Sequence, residues 1–343
     1  MAAFSEFFVD PSLDSDTGTG TLVDPYGDAE HGIREETFDT VGGTIMHIKE
    51  GAAEVLSDDF ATAMADTGST PAWLTSTTAA FVIKGYRGVA HDGGKAAIDG
   101  NGLHGMFGVS NINYAHAIDL RMFNTGAEIA IKMAAGGSVQ RCEVHDCNVN
   151  AVQVTNYGVV IGNYIHNIGA VGISCGGTGA SAIYNRIEDG VLSMTVGVSS
   201  FGSVCERNIV ILKANSNATG ILGTSAPILN NSVYCHGGGT GIGIRGASGS
   251  REGHVFNNLI EGISGVGGRG IQSISNSGKM QAIGGNEVFD CTTPFIYEAP
   301  VVEDWGDNNV LTASPFVNAA VGDFRPVDIS NIREGHVPGG WFI

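Results

Sequence analysis

A three-residue phrase, Asn followed by any residue and then Ile or Val, returns along the middle of this chain. It reads Asn163-Tyr164-Ile165, Asn185-Arg186-Ile187, Asn208-Ile209-Val210, Asn231-Ser232-Val233, Asn258-Leu259-Ile260 and Asn286-Glu287-Val288. The apolar register continues backward without the Asn through Val144 and Met122. From Met122 to Val288 the steps are 22, 21, 22, 23, 23, 27 and 28 residues. One such repeat is too short to bury its own apolar face, so each must stack on the next as a coil of a solenoid.

Two further apolar series lie between the phrases. One runs Val152, Val154, Val171, Ile173, Val198, Ile221, Ile242, Ile244 and Ile271; the other runs Val160, Ala182, Val204, Ile228, Val255 and Ile283. Three strands of about 3–5 residues with three bends account for one step, with β-branched residues inward and polar ones outward. No stretch of these coils carries a helical period. The expected fold is an all-β, right-handed, single-stranded parallel β-helix. The six Asn are read as a structural ladder, each at a corner where Asn tolerates left-handed backbone and bonds to the Asn of adjacent coils.

Gly makes up 52 of the 343 residues, which suits a fold with frequent tight bends. The balance of 35 acidic to 17 basic residues gives a net charge of -18. Such a surface repels phosphate backbones, so no nucleic-acid partner is expected. Cys142, Cys147, Cys175, Cys205, Cys235 and Cys291 form no CxxC pair and are read as buried free thiols. The start, Met1-Ala2-Ala3-Phe4-Ser5-Glu6, has neither a basic region nor an apolar run, so neither an export signal nor a membrane span is read.

Residues 1–75 are not periodic and are assigned to an N-terminal cap, although Thr44–Lys49 alternates like a strand. Residues 76–300 form the β-helix, with Phe81–Tyr86 and Ala97–Gly100 as irregular early coils and a bulge at Gly246–Ser250. Residues 301–343 form the closing segment, in which Phe316 and Phe324 are expected to cover the apolar end. The tail Trp341-Phe342-Ile343 is a candidate assembly contact, and a homotrimer is one expected state.

The register also places outward residues in columns. Glu143, His145, Asp146, Tyr164, His166, Arg186, Glu188 and Asp189 fall in one patch. Arg186, Glu188, Asp189, His145 and His166 are the candidates if the protein is an enzyme. A pair of carboxylates suits glycoside hydrolysis, whereas Arg or His suits proton removal beside a uronate carboxylate. Glu143, Tyr164 and Arg186 are the candidates for binding a glycan without cleaving it. The same alternation of charge is also an ordinary solvated face. Asp14-Ser15-Asp16-Thr17-Gly18 has part of the pattern of a calcium loop but lacks the bidentate Glu that would follow. No metal site and no other cofactor is assigned.

The opening Phe8-Val9-Asp10-Pro11, Gly18-Thr19-Gly20-Thr21 and Asp24-Pro25-Tyr26 resembles the start of pectate-lyase-like right-handed β-helix proteins. With Gly85-Tyr86-Arg87, Asp92-Gly93-Gly94, Ile98–Gly102, Ser314-Pro315-Phe316 and Gly322-Asp323-Phe324, the chain resembles β-helix proteins of tailed bacteriophages and environmental bacteria. That resemblance implies a virion protein on the exterior of head or tail, as decoration, fibre or receptor-binding element. Its partners would be other virion proteins and a host surface glycan. The alternative is a polysaccharide lyase or glycoside hydrolase, and the sequence leans away from catalysis. The Asn-Thr-Asp, Gly-His-Gly and Arg-Ile-Lys runs of the superfamily's polygalacturonases are absent, as is the Arg-x-Pro-x-x-Arg run of its pectate lyases.

Overall fold

The periodic apolar residues stack in columns, one for each sheet of a parallel β-solenoid. In this computed structural model the described residues are 5–13, 17–36, 42–58, 60, 80–107, 113–248, 253–275, 281–297, 302–304, 308–321 and 323–326. The chain divides into two compact units, Met1–Tyr164 and Ile165–Ile343.

In the second unit the three series seen in the sequence become three buried columns, with one correction: Cys205 faces inward in the first sheet and Val204, expected there, is only half-buried. Ala182, Cys205, Ile228, Val255 and Ile283 are register partners in the first sheet. Ile187, Val210, Val233, Ile260 and Val288 pair in the second. Val198, Ile221, Ile244 and Ile271 pair in the third. All of these residues are buried. The strand Ile242–Ser248 runs through most of the expected bulge, because it pairs in register with Arg269–Ser275.

The first unit begins its stack earlier than the sequence period indicates. Phe7, Met46, Ile83, Ala117, Val139 and Val160 form one buried first-sheet column. Ile98, Met122 and Val144 form the second-sheet column beside it. Strands Ser5–Val9 and Thr44–Lys49, assigned above to a cap, are therefore coil strands. Long connections between them hide the period. One of these holds the only α-helix among the described residues, Ala29–Glu35. Asp28 caps it by accepting the His31 N–H at 2.7 Å, and buried Glu54 accepts the Ala29 N–H at 3.0 Å.

The ladder Asn are buried, and they bond from coil to coil. Asn208 Nδ2 donates to Asn231 Oδ1 at 3.0 Å and to the Ala182 carbonyl at 2.9 Å. Asn208 Oδ1 accepts from the Asn185 backbone N–H at 3.0 Å and from its Nδ2 at 2.9 Å. The same pattern continues from Asn231 to Asn258, from Asn258 to Asn286 and from Asn286 to Asn308. In the first unit Asn163 accepts the Cys142 N–H at 2.8 Å. The left-handed corner belongs to the residue before each Asn: Gly162, Tyr184, Arg207, Asn230, Asn257 and Gly285 all have positive φ. The side-chain amide, not the Asn backbone, is what the site requires.

Glycine has a second use here besides turning corners. Gly172, Gly197, Gly220, Gly243 and Gly270 recur in the third-sheet strands of the second unit. A Cβ on Gly220 would lie 2.6 Å from the Gly243 carbonyl and 2.6 Å from Val233. The other four meet the equivalent carbonyl and the equivalent second-sheet side chain. All six Cys are free, five of them buried, and burial pushes the Cys142 and Cys175 thiols up to about 12.

Three outcomes test this account. Asn208→Ala leaves the buried Asn185 N–H without its acceptor and lowers the unfolding free energy by about 3 kcal/mol in a denaturant titration. Gly220→Ala costs about 1–3 kcal/mol in the same assay, since neither the carbonyl nor Val233 can move aside. Burial, then the Asp28 charge, pushes the Glu54 carboxyl from 4.5 up to about 8. The folded chain holds that proton where the unfolded chain releases it, so stability falls as pH rises from about 4.5 to about 8. Glu54→Gln removes this part of the slope in thermal melts across that range.

Candidate functional site

The expected patch is distributed over both units, and its members differ in surroundings. In the first unit the strand Glu143–Cys147 buries Val144 and Cys147 and turns Glu143 and His145 outward. Their register partners on the strand Leu120–Thr125 are Arg121 and Phe123. The His145 ring stacks on Phe123 at 5.3 Å between centroids and 5° between planes. The Arg121 guanidinium lies 5.9 Å from the centroid of the Phe123 ring. Asp146, held left-handed at φ 54, accepts from His145 Nδ1 at 2.7 Å. That bond places the imidazole proton on Nδ1 and makes Nε2 the basic nitrogen of the ring. Asn124 donates to Asp99 at 2.7 Å in the adjoining coil. Tyr164 is half-buried, and its backbone N–H donates to the Cys142 carbonyl at 2.9 Å.

In the second unit His166 is half-buried between the inward Ile165 and Ile168. Asn167, the next residue, accepts the Leu192 N–H at 2.9 Å. Arg186 and Glu188 face outward two residues apart, and Arg186 Nε donates to Glu188 Oε1 at 2.6 Å. The Asp189 side chain has no exposed surface. It accepts from the Met194 N–H at 3.2 Å and from Ser216 Oγ at 3.1 Å, with Lys213 Nζ at 3.9 Å. Asp189 therefore holds its loop together and is not available for proton transfer.

The C-terminal hairpin explains the position of Arg186. Strands Phe316–Asn318 and Asp323–Pro326 pair antiparallel. Phe316, Ala319 and Phe324 bury themselves against Ile209, Ile211, Tyr234 and Leu259, on the second sheet. Phe324 meets Tyr234 at 5.7 Å and Phe316 at 5.5 Å, both edge to face. Ser314 donates to Glu261 at 2.6 Å. The expectation that Phe316 and Phe324 cover the end of the stack is corrected: they lie along its second sheet, whose apolar residues would otherwise meet water. The Arg186 guanidinium, 6.0 Å from the Phe324 centroid, sits at the rim of this contact. The Arg186–Glu188 pair is thus part of the packing around the hairpin. Asp14, Ser15 and Asp16 of the calcium-loop phrase, and Trp341, Phe342 and Ile343, lie outside the described residues.

No protein-family model matches the chain, and no curated protein matches it. Among solved structures the fold resembles that of pectate lyase Pel9A. The TM-score is 0.50 at 12% identity, covering 92% of this chain and 84% of that one. XylC in complex with xylose matches with TM-score 0.45 and 10% identity, over 88% of this chain and 86% of that one. The catalytic domain of the GH87 alpha-1,3-glucanase variant D1068A, in complex with tetrasaccharides, matches with TM-score 0.34 and 10% identity. That match spans 90% of this chain and 69% of the other. The likeness to Pel9A establishes a pectate-lyase-like β-solenoid; an activity has to come from the residues themselves.

Phe324→Ala is expected to cost about 3 kcal/mol, the usual loss for a buried Phe, with faster amide exchange along Ile209–Leu212. Arg186→Ala is expected to cost less than about 1 kcal/mol, since an ion pair with its guanidinium near water adds little.

Proposed function

We propose that this chain is a polysaccharide lyase whose proton-transfer centre is His145, on the outward side of the second sheet in the first unit. The observation that carries the reading is the 2.7 Å bond from His145 Nδ1 to Asp146, made by a ring already fixed flat against Phe123. An imidazole oriented by a carboxylate and restrained by stacking is suited to removing a proton at a fixed position. Arg121 and Glu143 adjoin it in the register.

On a uronate polymer the step is a β-elimination. His145 Nε2 takes the proton beside the uronate carboxylate, and the released electron pair forms a carbon–carbon double bond. The adjacent carbon–oxygen glycosidic bond breaks, and its oxygen takes a proton from water as it leaves. Arg121 would hold the uronate carboxylate, as guanidinium groups do. Hydrolysis by two carboxylates fits less well, because Asp146 is engaged with His145. A virion role rests on the sequence resemblance alone, and the similar solved structures add nothing to it.

The test is a screen of uronate polysaccharides for ultraviolet absorbance from unsaturated products. His145→Ala should lower kcat by about 10²–10⁴-fold, the usual contribution of a positioned acid or base. Asp146→Asn, which tolerates the same left-handed backbone, should lower it at least about tenfold while circular dichroism stays unchanged. Because a chain of net charge -18 repels a polyanion at long range, kcat/KM should rise with added salt. Turnover that survives His145→Ala, or no turnover on any uronate polymer, would overturn the assignment.

A further inference from the structure

A second cluster lies on the first sheet near the start of the chain, formed by residues far apart in sequence. Phe8, His47 and Lys84 are register partners on three adjacent strands. The His47 ring stacks on Phe8 at 4.7 Å and 10°. Tyr86 and His91 meet it edge to face at 6.2 Å and 5.1 Å. The His47 side chain has no exposed surface, yet neither ring nitrogen has a hydrogen-bond partner. A polar group buried in this way calls for a partner.

Two other potential ligands converge on it. Glu6, from the strand Ser5–Val9, places Oε2 at 3.3 Å from His47 Nε2, outside hydrogen-bonding geometry. Glu6 Oε1 lies 3.9 Å from His91 Nε2. One donor atom from each of Glu6, His47 and His91 falls within 4.8 Å of the other two. His91 stands in a loop at φ 64. The Asp92 carboxylate secures that loop by accepting the N–H groups of Arg87 and Gly88 at 2.6 Å and of Val89 at 3.0 Å. Donors bound tetrahedrally at about 2.0–2.2 Å lie about 3.4 Å apart. The carboxylate of Glu6 is therefore already near ligand spacing from both imidazoles.

We propose that Glu6, His47 and His91 bind a divalent transition cation, and that zinc is its identity. Two imidazoles and one carboxylate are a borderline-soft donor set suited to that ion, and three protein donors leave a fourth position for water. The ion supplies the partner that His47 Nε2 lacks. It also ties the first strand, at the edge of its sheet, to the second strand and to the loop.

Lys84 opposes this. Its Nζ lies 3.1 Å from His91 Nδ1, which fixes Nδ1 as acceptor in the metal-free chain. For His91 Nε2 to bind the ion, the ring proton must sit on Nδ1 and the ammonium must swing away. Lys84 is therefore a built-in competitor that weakens the site.

The experiment is calorimetric titration of the chelator-stripped full chain with Zn²⁺ alone, with Co²⁺ absorption as a report on coordination geometry. The expected result is one ion per chain and a tetrahedral cobalt spectrum. Glu6→Gln and His91→Ala, both partly exposed, should each weaken binding at least tenfold with circular dichroism unchanged. Lys84→Met should tighten binding severalfold. Absence of one-to-one binding, or affinity unchanged in both Glu6→Gln and His91→Ala, would overturn the site. Because the readout is metal binding, its failure is separate from any failure of the lyase assignment.

Discussion

The corner between the first and second sheets is where the stack is most exposed to failure. Backbone there leaves one ladder and joins the next, so its N–H and carbonyl groups are buried between two sets of partners. The Asn side chain fills that gap with one amide. In the second unit Asn185, Asn208, Asn231, Asn258 and Asn286 each donate to the next Asn of the ladder, and from Asn208 onward each oxygen accepts from the one before. Since each amide satisfies groups of two coils, losing one unpairs both. The parallel sheets and their apolar columns extend from a corner that is already closed.

That corner was half legible in the sequence. The spacing of Asn-x-Ile/Val set the register from Met122 to Val288, because each buried side chain must lie above its equivalent in the preceding coil. The positive φ falls on the residue before each Asn and not on the Asn, where the sequence alone points. Tyr184 and Arg207 precede the Asn, and nothing in a Tyr or an Arg announces a left-handed backbone. Asn308 is the last rung, and the sequence does not mark it because its phrase, Asn308-Asn309-Val310, follows a step where the other two series have faded. The first-sheet column from Phe7 to Ala117 has no legible period in the sequence, for a different reason. Its members are separated by long connections, and no fixed step survives.

The functional residues show the same division. Glu143 and His145 could be placed side by side from the repeat, and Asp146 beside them by adjacency. The stacking of His145 on Phe123 follows from register as well. What the repeat could not convey was the hairpin, since a segment beyond the last coil has no register to inherit. A signal was nonetheless present. Ile209, Ile211 and Leu259 are apolar beside the inward Val210 and Ile260, and an uncovered face of that kind has to find a lid. The Glu6, His47 and His91 cluster carries no local spacing, because its members meet only through strand pairing and a loop.

The glycine column also decides where this fold can grow. From Ile187 to Gly197, Val210 to Gly220, Val233 to Gly243 and Ile260 to Gly270 the count is ten residues in each of four successive coils, against seven from Ile165 to Gly172 in the coil before them. From each of those glycines to the next second-sheet residue, at Val210, Val233, Ile260 and Val288, it is 13, 13, 17 and 18. In those four coils this arc has a constant length, and it ends at a position where only a hydrogen atom fits against the next turn. Among those coils the other arc absorbs the change in length. A longer loop after the third-sheet strand leaves the stacking intact, because the glycine still meets the carbonyl of the next turn.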